Sequence, residues 1–186
     1  MVVNDINTLA EDLENQELAA PSGIASPEVY GQLLAIYLYQ NDLCNAKFLW
    51  KRIPASVKTA APELGQIWAV GHHLWKSDFP ATYQALNAVK WSENVAEIMQ
   101  NVQIVVRSRA VDLMSQAYSS INLQTVQAMT GLDSEVCIAA CKEKGWRVET
   151  DSKIVYPVRK AAEPLSQLSS EDQLFKLTDF VSFLEN

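Results

Sequence analysis

Apolar residues fall at helical spacing along nearly the whole chain and turn to strict alternation in one place, between Trp146 and Tyr156. The longest periodic run follows Ser92, a residue type suited to cap a helix. It puts Val95, Ile98, Met99, Val102, Val105, Val106, Ala110, Leu113, Met114 and Ala117 on one stripe. At 1.5 Å per residue such a helix spans roughly 35 Å, long enough to join two modules.

Upstream the pattern predicts shorter helices. Asp5–Leu18 carries Ile6, Leu9, Leu13 and Leu18 on one side, and the stretch APSGIASP then breaks it. Glu28–Tyr39 and Asp42–Ile53 read as a helix pair stopped by Pro54; Pro62, favoured in a first turn, opens a helix to Lys76, and Asp78–Val89 is its partner. The segments LYQNDL (Leu38–Leu43) and LWKSDF (Leu74–Phe79) align at an offset of 36 residues. That period is close to the ~34 residues of tetratricopeptide-like hairpins, in which each hairpin leaves an apolar face for the next to cover.

The stretch Ile121–Val158 changes character. Asn122 is placed to cap a helix over Leu123–Met129, Gly131 supplies a turn, and Asp133 caps a second helix that ends at Lys144 before Gly145. WRVE and KIVY then alternate around Thr150-Asp151-Ser152, as a hairpin does. Helix, turn, helix and hairpin in that order predict a winged helix. A polar segment follows, and a last helix begins at Ser170, with Gln173 three residues on in a capping-box pattern. The predicted fold is therefore mostly α: TPR/HEAT-like hairpins over residues 1–117, a winged helix over 118–158, a linker over 159–169 and a C-terminal helix over 170–186.

Charge decides what the winged helix is for. The chain carries −7 with a pI near 4.8, which opposes nucleic-acid backbones and anionic membranes. A recognition helix needs Arg, Lys, Asn or Gln at base edges. Here its first turn holds Asp133 and Glu135, and on the wing Arg147 and Lys153 are offset by Glu149 and Asp151. The expectation is a winged helix that meets protein, through the hairpin's edge at Lys153, Ile154, Val155 and Tyr156. No basic-then-apolar leader and no ~20-residue apolar run stand out, and three sparse cysteines suit a reducing compartment. An intracellular, soluble chain is expected.

Reactive chemistry finds few candidates. His72 and His73 are adjacent, and helical neighbours point about 100° apart, so they do not chelate one ion together. Cys137 and Cys141 share a helix face, but zinc wants four ligands and Cys44 belongs to another module; buried thiols are the better reading. The phosphate-loop, dinucleotide and nucleophile-elbow motifs are absent. We expect no catalytic, cofactor or metal site. The tail says more. Leu174, Leu177, Val181 and Leu184 form a stripe flanked by Phe175, Phe180 and Phe183, so seven of the eleven residues Leu174–Leu184 are apolar. Such a face either folds back on its own domain or packs with helices of other chains, and the second is expected here.

Hairpins, a bridging helix, a winged helix and a trailing helix together resemble the PCI-domain family of the proteasome lid, the COP-nine signalosome and translation initiation factor three. ENQELAAPSGIASPEVYGQLLA, NAKFLWKRIPASVK, ELGQIWAVGHHLWKSDFPATY, WSENV, SQAYSSI and the terminal LTDFVSFLEN look like the family of the smallest, eighth signalosome subunits, over about Glu14–Asn186. The resemblance implies a non-catalytic subunit of the complex that removes NEDD8 from cullin-RING ubiquitin ligases. Its neighbours would be other PCI and MPN subunits, in nucleus and cytoplasm, met through winged-helix edges and a bundle of C-terminal helices. A lid or initiation-factor subunit is the alternative within the class, decided by the partners that co-purify; a nucleic-acid-binding regulator is the alternative outside it.

Overall fold

The computed structural model describes residues 3–159 and 170–185, so most of the expected linker lies outside the described residues. Helix α1 (Val3–Leu18) leads through a single 3-10 turn to α2 (Pro27–Gln40), α3 (Leu43–Arg52), α4 (Ala55–Ala60), α5 (Pro62–Trp75) and α6 (Phe79–Asn87). Then come α7 (Glu93–Ala117), β1 (Ile121–Asn122), α8 (Leu123–Thr130), α9 (Ser134–Glu143), β2 (Arg147–Glu149), β3 (Ile154–Tyr156) and α10 (Ser170–Glu185). The mostly α fold of hairpins, winged helix and C-terminal helix is the one expected. Helix α4 is an addition. It is a six-residue turn between Pro54 and Pro62 with no buried residue, too short to show periodicity.

The 36-residue repeat is real, and its two copies share one turn. Asn41 and Ser77 both take the left-handed conformation, at φ 62° and 57°. The next residue's amide donates back to the fifth-last carbonyl in both, Asp42 to Tyr37 at 2.8 Å and Asp78 to His73 at 3.0 Å. Each aspartate then caps the following helix, Asp42 Oδ1 accepting from the Asn45 amide and Asp78 Oδ1 from the Ala81 amide. The α2–α3 and α5–α6 hairpins stack closely: a Cβ on Gly71 would sit 2.9 Å from Leu38 Cδ2.

The core of these hairpins is built on α2, where Leu33, Leu34, Ala35, Ile36 and Leu38 are wholly buried, with Leu49, Ile67 and Val70 around them. Helix α1 covers one side through Ile6, Ala10 and Leu13, and Tyr37 donates to Glu14 Oε1 at 2.7 Å. Burial and that carboxylate together push the Tyr37 hydroxyl well above its usual range. Leu18, expected on the apolar side of α1, is 84% exposed at the helix's last position.

Helix α7 belongs to two cores. Val95, Ile98, Met99, Val102 and Val106 join the hairpin cluster, whereas Met114 joins a second cluster with Ile121, Leu123, Val126, Cys137, Cys141, Trp146 and Val155. Leu113 falls off the stripe and is exposed. Ser92 stands at the N-cap as expected, but its side chain makes no cap bond; its amide donates to Glu63 Oε1 at 2.8 Å, so α5 anchors the start of α7.

Candidate functional site: a sheet edge and an uncovered helix

Two residues lock the winged helix onto the hairpins. Helix α8 ends at Gly131 in the left-handed conformation, leaving its last carbonyls without helical partners. Tyr83 from α6 donates to the Met129 carbonyl at 3.1 Å, and Arg107 Nε from α7 donates to the Thr130 carbonyl at 2.9 Å. A cation at a helix C-terminus also suits its dipole. Burial pushes the Tyr83 hydroxyl up to about 12, against the lowering influence of Arg107. Gly131 lies against the Tyr83 ring so closely that a Cβ there would come within 2.6 Å.

Helices α8 and α9 are the helix-turn-helix expected. Asn122 caps α8 through Oδ1 and the Gln124 amide at 2.9 Å, whereas Asp133 holds the α9 N-cap position without a side-chain bond. Asp133 and Glu135 are exposed at the N-terminal turn of α9, where a groove-reading helix would meet phosphate. On the wing, Arg147 is engaged by its own surroundings. It pairs with Glu149 Oε1 at 3.0 Å and stands 4.3 Å over the Tyr156 ring.

The sheet corrects one expectation. It has three strands in the order β1-β3-β2, with Ile121 opposite Val155 and Val148 also opposite Val155. Strand β3 is therefore central: Ile154 and Val155 have a neighbour on each side, whereas Tyr156 is paired on the β2 side alone, with Arg147. Val155 is wholly buried, and Lys153 lies in the turn at φ 54°, outside the strand. The edge beside the wing is β2, Arg147–Glu149, the strand not named in advance. What hid this was β1. Two residues running straight into a helix carry no alternation, so only the hairpin pair was legible and both its strands looked like edges.

The tail residues are where the sequence put them, on one helix. Leu174, Phe175, Leu177, Phe180, Val181, Phe183 and Leu184 all lie on α10 and are between 50% and 78% exposed. None of them belongs to either apolar cluster of the hairpins or the winged helix. The side chains of the capping pair Ser170 and Gln173 lie outside the described ones.

The remaining polar candidates have structural places. Cys137 and Cys141 are buried, as expected, beside a cleft of about 140 Å³ shared with Val126, Thr130 and Trp146. Hydrogen bonds from Cys141 and Thr130 lower the Cys137 thiol to about 7, while the same bond and burial push Cys141 up. The two histidines are on α5, with ring centroids 6.2 Å apart at 60°. Among the described residues no three His, Cys, Asp or Glu side chains come together as metal ligands, and no helix is long and apolar enough to cross a membrane.

Helical hairpins joined by one long helix to a winged helix, with a trailing helix beyond, define a PCI-type module. The chain belongs to the CSN8/PSMD8/EIF3K family, whose model matches residues 24–166. It is 48% identical over 178 residues to COP9 signalosome complex subunit 8 of Xenopus laevis, covering 96% of this chain and 91% of the relative. The subunit of the same name from Drosophila melanogaster is 34% identical over the whole length of both chains. That of Arabidopsis thaliana is 30% identical over 150 residues, 81% of this chain and 76% of the relative.

Proposed function

We propose that the chain is a non-catalytic structural subunit of a COP9 signalosome. It joins neighbouring PCI and MPN subunits through two surfaces, the β2 edge of the winged helix and the apolar face of α10. The observation that carries this reading is the tail: seven large apolar side chains stand in solvent on one helix. A face of that size outside any core marks a surface made to be covered by another polypeptide. The relatives' shared name supports the particular assembly, and the family name alone would leave the proteasome lid and initiation factor three open.

The β2 edge has the matching physics. Its residues Arg147 and Glu149 are exposed and Val148 half-buried, so another chain's strand can add its backbone hydrogen bonds there without unpacking the core. The chain contributes no nominated reactive group, so NEDD8 removal belongs to another subunit in this reading. Co-expression with the remaining signalosome subunits tests it: the chain should co-purify in equal stoichiometry. Val148→Pro, which blocks strand addition while its side chain remains small and apolar, should lower the yield of complete complex about tenfold. Recovery of the chain with lid or initiation-factor subunits instead would reassign it.

A further inference from the structure

The acidic chain carries a basic stretch on its helical hairpins. Between Leu43 and Ser77 five basic residues, Lys47, Lys51, Arg52, Lys58 and Lys76, stand against one carboxylate, Glu63. Arg52 is used up by Glu17, at 2.6 Å through both nitrogens, which leaves the four lysines. Glu63 accepts from the Ser92 amide, and the bordering Asp42 and Asp78 are helix caps. Each nearby carboxylate thus has a structural task elsewhere, and neither ion pair among the described residues involves a lysine.

The lysines are interleaved with aromatic rings. On α3 the residues Cys44, Lys47, Phe48 and Lys51 recur at i, i+3, i+4 and i+7, opposite the buried Ala46 and Leu49. On α5 the stripe is Trp68, His72, Trp75 and Lys76. The two helices run side by side and antiparallel, because Lys47 Nζ lies 4.4 Å over Trp75 while Trp50 stacks on Trp68 with centroids 5.7 Å apart. Lys58 Nζ from α4 stands 4.5 Å over the Trp50 ring. Phe48 is 59% and Trp75 46% exposed. The rings hold two ammonium groups in place, and beside them lie apolar side chains with no cover.

We propose that the outer face of α3 and α5 is a docking surface for an amphipathic, acidic helix of a partner protein, its carboxylates meeting Lys47, Lys51 and Lys58 and its apolar stripe meeting Phe48 and Trp75. Charge complementarity sets the sign of the partner, and the uncovered rings set its apolar stripe. The outward stripe of α3 is about 10 Å long, which matches two turns of such a helix. A nucleic-acid strand fits less well. Trp50 and Trp68 spend ring faces on each other and on Lys58, and one face of Trp75 is taken by Lys47, so of these rings Phe48 alone is left open on both faces, whereas single strands stack successive bases on a series of rings. The surface shares no residue with α10 or β2, so this inference stands or falls separately from the assembly reading.

The test is fluorescence anisotropy on the full chain with a labelled helical peptide bearing a Leu/Phe stripe flanked by Glu, at physiological salt. Micromolar binding is expected. A peptide with Lys in place of each Glu should bind at least about tenfold more weakly. The double variant Lys47→Met, Lys58→Met, which retains the aliphatic stems, should lose about tenfold, and Phe48→Ala several-fold, with thermal unfolding unchanged. Equal binding of the acidic and basic peptides, or wild-type affinity in the lysine variant, would overturn the proposal. So would an oligouridine probe that binds more tightly than the acidic peptide.

Discussion

Helices α7 and α10 carry the same kind of message and meet different fates. Both bear an apolar stripe at helical spacing along most of their length. On α7 the stripe is covered from Val95 to Met114 except at Leu113, first by the hairpins and then by the winged helix. On α10 the stripe from Leu174 to Leu184 has nothing on it. The difference teaches that amphipathic pattern specifies a face to be covered but not what covers it. For α7 the cover lies within the same chain on both sides. For α10 none of the described residues supplies a cover, and this contrast is the physical basis of the assembly reading.

The sharpest way to break the comparison is to place a charge on each stripe in turn. Val102→Asp buries an unpaired carboxylate where the side chain is wholly enclosed, and should cost about 4 kcal/mol or more, enough to unfold a marginal domain. Leu177→Asp, at a position 62% exposed, should change the stability of the isolated chain by less than about 0.5 kcal/mol. Urea unfolding followed by circular dichroism checks both. A large loss at Leu177 would mean that α10 is covered by its own chain after all.

A smaller effect sharpens the account of why α7 is covered at both ends. Gly131 combines a left-handed backbone, φ 64°, with the Tyr83 ring 2.6 Å from any Cβ. Gly131→Ala should therefore cost about 2 to 3 kcal/mol, the strained conformation and the displaced ring acting together. Smaller again is Tyr83→Phe, which removes one donor to the end of α8 and should cost about 1 kcal/mol. The pH dependence follows from the raised hydroxyl. Folded Tyr83 titrates near 12 rather than 10.0, so its contribution is fully present below pH 10 and is lost as pH rises toward 12. The Phe variant should lose stability less steeply than the parent across that window.

Much of this was legible in the residues. The six-residue match between LYQNDL and LWKSDF announced a repeat, and the structure shows the same left-handed residue and the same aspartate cap in both turns. The α8–α9 pair was readable because Asn122, Gly131 and Gly145 mark its ends. The tail was legible for the same reason as α7, a long unbroken stripe. The sheet was not. Strand β1 has two residues, below the length at which alternation carries information, and its presence converts β3 from an edge into a centre. The candidate site thus moved one strand along, from Ile154–Tyr156 to Arg147–Glu149. The Tyr83 and Arg107 links to α8 could not be read either, because they join residues 46 and 23 positions apart through backbone carbonyls that no side-chain pattern reveals.

The most direct measurement removes the uncovered helix. A chain truncated before Ser169 is expected to keep its thermal midpoint within about 2 °C, since the large apolar side chains of α10 are all at least half exposed and join neither apolar cluster, and to drop out of the complex when co-expressed with the other subunits. A truncated chain that still assembled at full stoichiometry, or one that unfolded on losing α10, would contradict the claim that this face exists for other chains.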